Sequence, residues 1–192
     1  MGGRMWSTSR RSGTASVFPP ADRRAYLVSR IGLLVALGLV LQIIEGTIPP
    51  ILPLPGAKLG LANLATVIAL VTMGPWEALV VNVLRCLLGG LLRGSFIGLT
   101  LSLTAGTAAT LVMAALYRLG PRTLSITGVS IAGAVTHNAV QLAVAIWLVG
   151  FPGLKYYLPY LLLIALPTGF FIGLTARRLA LSLSRDFPEG VA

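Results

Sequence analysis

The chain has 192 residues, of which 56% are hydrophobic and only 10% charged, with a mean hydropathy of +0.88. Soluble domains carry charge on about a quarter of their residues, so the composition reads as an integral, all-α membrane protein. The formal net charge of +10 sits mainly at the chain ends and between apolar runs, which marks membrane orientation rather than a nucleic-acid surface.

Residues 1–24, with their Gly, Ser, Thr and Arg, read as a disordered basic tail. Residues 25–178 read as a six-helix transmembrane domain, and 179–192 as a second tail. Helix 1 is expected from Tyr26 to Ile44. Its apolar stretch mimics a signal-peptide core, but "EGTIPPILPLPGAK" after it offers no small-x-small cleavage site, so the segment is read as retained. The prolines of "TIPPILPLPGAK" make the next stretch a stiff, irregular loop. Helix 2 is expected over Leu59–Met73, helix 3 over Trp76–Leu92 and helix 4 over Phe96–Tyr117. Helix 5 follows over Leu124–Val149 and helix 6 over Tyr156–Ala176, with Pro167 kinking the last. Helices 2 and 3 are the weakest spans, and a re-entrant pair is the alternative.

Six spans put both termini on one side. That side receives Arg4, Arg10, Arg11, Arg23, Arg24, Arg30, Arg118, Arg122, Arg177, Arg178 and Arg185. The other receives Lys58, Arg93 and Lys155, and eleven against three places the termini in the cytoplasm. Small residues recur every four positions: Gly98, Ser102, Gly106 and Thr110 in helix 4, Gly32 and Ala36 in helix 1, Gly169 and Gly173 in helix 6. Such stripes let helices approach closely, within the bundle or against a partner subunit.

Several polar residues interrupt the apolar runs. Arg85 lies within helix 3, one turn after Asn82. An arginine at mid-membrane costs roughly 2.5–3.5 kcal/mol on insertion scales, so it is expected to face the bundle interior and a partner. Glu45, at the outer end of helix 1, is the expected counter-charge. In "GAVTHNAVQLAVAIWLVG", residues 133–150, His137, Asn138 and Gln141 share one helix face. Asn63 stands about a turn into helix 2, and Lys58 flanks the proline loop. By depth, Glu45, Lys58, Asn63, Asn82, Arg85, His137, Asn138 and Gln141 converge on one level, a basic pocket open to the outside. Each also has a plain structural explanation, as an ion pair, an interhelical hydrogen bond or a snorkelling anchor.

Missing motifs narrow the chemistry. The only lysines are Lys58 and Lys155, so there is no P-loop. Asp22 and Asp186 are isolated near the ends, so there is no aspartate-rich magnesium site. With one histidine and one cysteine, Cys86, no zinc site or disulfide is expected. No catalytic residue, metal or cofactor is assigned.

Three stretches, "PGAKLGLANL" (55–64), "LRCLLGGLLRG" (84–94) and "GVSIAGAVTHNAVQL" (128–142), resemble a bacterial membrane family labelled heptaprenyl diphosphate synthase component I or Gx transporter. The resemblance covers about residues 28–178 and is strongest at the His-Asn and following Gln. That family is similar to the substrate-binding S components of energy-coupling-factor (ECF) transporters. The resemblance implies a six-helix protein that captures a small solute near the outer face and relies on a separate T component and cytoplasmic ATPases. S components usually dock through Ala-x-x-x-Ala on helix 1. The nearest positions here are Gly32, Ala36 and Val40.

Taken together, the expectation is a multi-pass subunit of the cytoplasmic membrane that takes up a small anionic solute. Arg85 makes the charge contact, and Asn63, Asn82, His137, Asn138 and Gln141 orient the solute. Glu45 holds Arg85 or Lys58, and the proline loop forms a lid edge. The rival readings are a membrane accessory to a prenyl diphosphate synthase, and a scaffold that contacts only other membrane proteins.

Overall fold

The computed structural model describes residues 20–47, 60–119 and 124–186. Its elements are α1 (Pro20–Thr47), α2 (Asn63–Thr72), α3 (Pro75–Arg93), α4 (Phe96–Arg118), α5 (Ile126–Val149), a 3₁₀ turn (Pro152–Tyr157) and α6 (Leu158–Asp186). The described residues form no strand. Among the described residues, five helices are long and apolar enough to cross a bilayer, and the chain is a multi-pass membrane protein.

Local chemistry accounts for the boundaries. Pro20 stands at the start of α1, where its missing N–H costs nothing. Gly74, at φ +124°, turns the chain between α2 and α3, and Pro75 opens the next helix. Gly94 ends α3 in the left-handed region. Ser95 and Ser125 cap α4 and α5, each hydroxyl accepting a hydrogen bond from the backbone N–H three residues on.

Two elements differ from their expected extent. Helix 2, expected from Leu59, begins only at Asn63, because Gly60 holds φ +80° just ahead of it. Its 10 residues rise about 15 Å, half the hydrocarbon thickness. Helix 6, expected to stop at Ala176, runs on to Asp186. The arginines at 177 and 178 end the apolar run, but Arg, Leu, Ala and Ser are no helix breakers. Pro167 lies inside this continuous helix.

The short α2 is the centre of the bundle, contacting α1, α3 and α6. Its residues Ala65 to Leu70 are buried in unbroken sequence, as in a helix surrounded on all sides. Between α5 and α6 the backbones approach directly. A Cβ on Gly169 would lie 2.8 Å from Ile131 Cα, and one on Gly173 2.6 Å from Thr127 Cα. The outer surface is apolar, with Phe96, Trp147, Leu91 and Leu33 all exposed. That inversion suits a surface solvated by lipid.

Candidate functional site

Most buried polar side chains gather toward one end of the bundle. Gln42 and Glu45 come from the last turns of α1, Asn63 from the start of α2, and Asn82 and Arg85 from the middle of α3. From α5 come His137 and Asn138, both half-buried, and Gln141, which is buried.

Arg85 organises this end. It is 5% exposed. Its Nη1 donates to Gln42 Oε1 at 3.0 Å, and its Nη2 donates to Asn82 Oδ1 at 2.9 Å and to Cys86 Sγ at 3.4 Å. Its Nε is buried with no hydrogen-bond partner among the described residues. The guanidinium is therefore held by neutral acceptors.

Glycines make this possible. A Cβ on Gly38 of α1 would lie 2.5 Å from Arg85 Cδ, and one on Gly106 of α4 would lie 2.6 Å from Asn82 Oδ1. A Cβ on Gly89 would collide with the Gln42 amide. The stripe that looked like backbone packing in helix 4 thus makes room at Gly106 for a polar side chain.

The expected Arg85–Glu45 pair is corrected by the structure. Glu45, 6% exposed, accepts a hydrogen bond from the Gly60 N–H. Arg85 crosses α1 at Gly38 and its head ends on Gln42, which stands nearly a turn short of Glu45. Lys58, the other partner expected for Glu45, lies outside the described residues, as does the proline loop expected as a lid edge.

A cavity opens among these groups. Glu45, Asn63, Arg85, His137 and Asn138, all expected from the sequence, line it. Gln42, Ser102 and Thr168 complete its polar lining, and Ala134 and Ile172 are among its apolar walls. Its empty volume, open mouth included, is ≈ 570 Å³. The first turn of α2 meets it at Ala62 and Asn63, so the positive end of a helix dipole adds to the charge of Arg85. The Asn63 Oδ1 is buried without a partner among the described residues.

Two expected residues stand elsewhere. Asn82 is absent from the cavity lining and supports Arg85 from behind. Gln141 lines a neighbouring cavity with Gln42, Arg93, Ser95 and Ser102. Asn138 has two roles: it lines the first cavity, and its Nδ2 donates to the Leu161 carbonyl of α6 at 3.0 Å. The histidine face is thus both wall and interhelical tie.

Sequence reasoning missed Gln42, Ser102 and Thr168. Gln42 could have been found, since it stands three residues before Glu45 in an apolar helix, the spacing that singled out Asn82 with Arg85. Ser102 was read as packing. Thr168 gives no signal, because its hydroxyl donates to Ile164 O of its own helix at 2.9 Å, as threonines in apolar helices do.

Among solved structures, the S component of a bacterial ECF transporter matches with a TM-score of 0.51 at 22% identity, over 86% of this chain and 96% of that one. At that identity the likeness is one of fold. No curated protein sequence matches the chain significantly. The model of one membrane family matches residues 34–179, from mid-α1 well into α6, and the chain belongs to that family, heptaprenyl diphosphate synthase component I.

Proposed function

We propose that the protein is the substrate-binding membrane subunit of an uptake system, built like an ECF S component. It captures a small anionic solute, such as a vitamin or a quinone or flavin precursor, in the cavity at Arg85. The observation that carries this reading is the state of that arginine: 5% exposed, hydrogen-bonded among the described residues to neutral groups, and lining a cavity. Among the described residues no carboxylate pairs directly with it, Glu45 being engaged by Gly60, and an anionic solute supplies such a partner.

The remaining roles follow from position. Asn63, His137 and Asn138 orient the solute, Asn82 positions Arg85, and Gln141 serves the adjoining space. Glu45 holds Gly60 at the cavity edge and offers a second charge to a solute that carries a donor. The positive-inside rule supports a cytoplasmic membrane location, with the basic segments 1–24 and 179–192 inside and the cavity facing out. The chain has no P-loop, so energy for uptake comes from separate subunits, a T component and cytoplasmic ATPases.

The test is mass spectrometry of small molecules retained by the protein purified in mild detergent, wild type against Arg85→Met. A compound held by the first and lost from the second identifies the solute class. A retained prenyl diphosphate returns an accessory role in prenyl synthesis. Identical retention with a lowered melting temperature makes Arg85 structural and overturns the assignment.

A further inference from the structure

The cavity at Arg85 has a neighbour with an empty volume, open mouth included, of ≈ 690 Å³, between the ends of α1, α3 and α4 and the middle of α5. Two residues line both: Gln42 and Ser102. Ser102 is a short side chain on α4. Gln42 is long, 5% exposed, and stands between the two spaces.

The two ends of Gln42 are held differently. Its backbone carbonyl accepts from Arg93 Nη2 at 2.6 Å, which fixes the main chain. Its side-chain oxygen accepts from Arg85 Nη1 at 3.0 Å. Its amide packs against Gly89, where a Cβ would collide with Nε2 and push it away. The side chain is thus latched at one point, by the same guanidinium proposed to meet the solute.

We propose that Gln42 is a movable partition, latched by Arg85, that divides one elongated site into two and sets the length of solute the protein accepts. This rests on the reading of Arg85 as the anion contact. A carboxylate or phosphate forms charge-assisted, commonly bidentate bonds with a guanidinium and outcompetes a neutral amide oxygen for it. Loss of the Nη1 bond frees the Gln42 amide and joins the two spaces. The neighbouring cavity offers Ile97 and Leu101 beside Ser95, Gln141 and Arg93. The class of solute that fits the joined site has an anionic head and a longer, partly apolar body with polar atoms along it.

The partition can be tested without any solute. In a Cys86→Ala background, thiols are introduced on the two sides of Gln42 by Ala134→Cys and Ile97→Cys together. Bridging of the two by a flexible bis-maleimide is timed with Gln42 intact, with Gln42→Ala, and with Gly89→Ala, which displaces Gln42 without removing it. Either displacement is expected to speed bridging by at least about tenfold, as loss of one charge-assisted hydrogen bond from a closing equilibrium predicts. Labelling of each single thiol by N-ethylmaleimide is expected to stay within about twofold, because each cavity has its own mouth. Equal bridging rates in all three backgrounds would overturn the proposal, whether fast or slow. With no solute present, a failed mass-spectrometry result leaves this outcome standing, and the reverse also holds.

Discussion

The side chain of Arg85 passes directly over Gly38, so closely that a Cβ there would stand 2.5 Å from Arg85 Cδ and 3.2 Å from Cγ. An arginine on α3 reaches a glutamine on α1 only because the intervening helix surface is bare. Gly38→Ala is therefore expected to overpack this crossing and cost about 1–3 kcal/mol. Thermal unfolding in detergent measures it. In an Arg85→Ala background the same substitution should cost clearly less, since only the contact with Ala65 Cβ at 3.3 Å remains and the two sites are coupled. Equal costs in the two backgrounds would show that Gly38 matters for another reason.

Asn82 offers a way to separate stability from solute capture. Its Oδ1 lies 2.9 Å from Arg85 Nη2, and Asn82→Asp puts a carboxylate in that place. An ionised acceptor makes a hydrogen bond roughly twice as strong as a neutral one, so the melting temperature should not fall. The same carboxylate neutralises Arg85, so retention of an anionic solute should drop at least about tenfold, equivalent to about 1.4 kcal/mol of lost binding. Asn82→Leu, which removes the acceptor, should instead destabilise by about 1–3 kcal/mol. Undiminished retention in Asn82→Asp would argue against Arg85 as the anion contact.

Much of this architecture was legible because apolar length and helix punctuation are local properties. Gly94, Ser95, Ser125 and Gly150 fix where helices end and start, and α3, α4 and α5 lie within two residues of their expected bounds. Depth alone brought Glu45, Asn63, Arg85, His137 and Asn138 to one cavity, because residues at one level of an antiparallel bundle have few places to go. Lateral pairing was harder. Which α1 residue takes Arg85 depends on where two helices cross, and that crossing is set by Gly38 and Gly89, whose role is visible only when the helices are side by side. The shortness of α2 likewise follows from the φ of Gly60, a backbone property that composition does not record.

Asn138 tests whether the α5 polar face is wall or tie. Its amide donates to Leu161 O across the α5–α6 interface at 3.0 Å. Interhelical hydrogen bonds in membranes average about 0.6 kcal/mol, so Asn138→Leu should lower the melting temperature only slightly. If the residue also orients the solute, retention by mass spectrometry should fall by a much larger factor. A large stability loss with retention unchanged would make Asn138 a tie alone.

Gly32 and Ala36 are exposed one turn apart, and Val40 continues the line at 53% exposure. A Cβ on Gly32 would meet nothing within 4 Å among the described residues, so no contact among them calls for a small residue there. Gly32→Leu and Ala36→Leu should each change the folding free energy by under about 0.5 kcal/mol, as surface substitutions do, and leave solute retention in detergent intact. If this stripe is where energising subunits dock, the same variants should lose uptake in cells, because a leucine holds two helix backbones apart where glycine or alanine lets them touch. Uptake is measured as accumulation of the retained solute once mass spectrometry has identified it. Unimpaired uptake in both variants would move the docking surface off this face of α1.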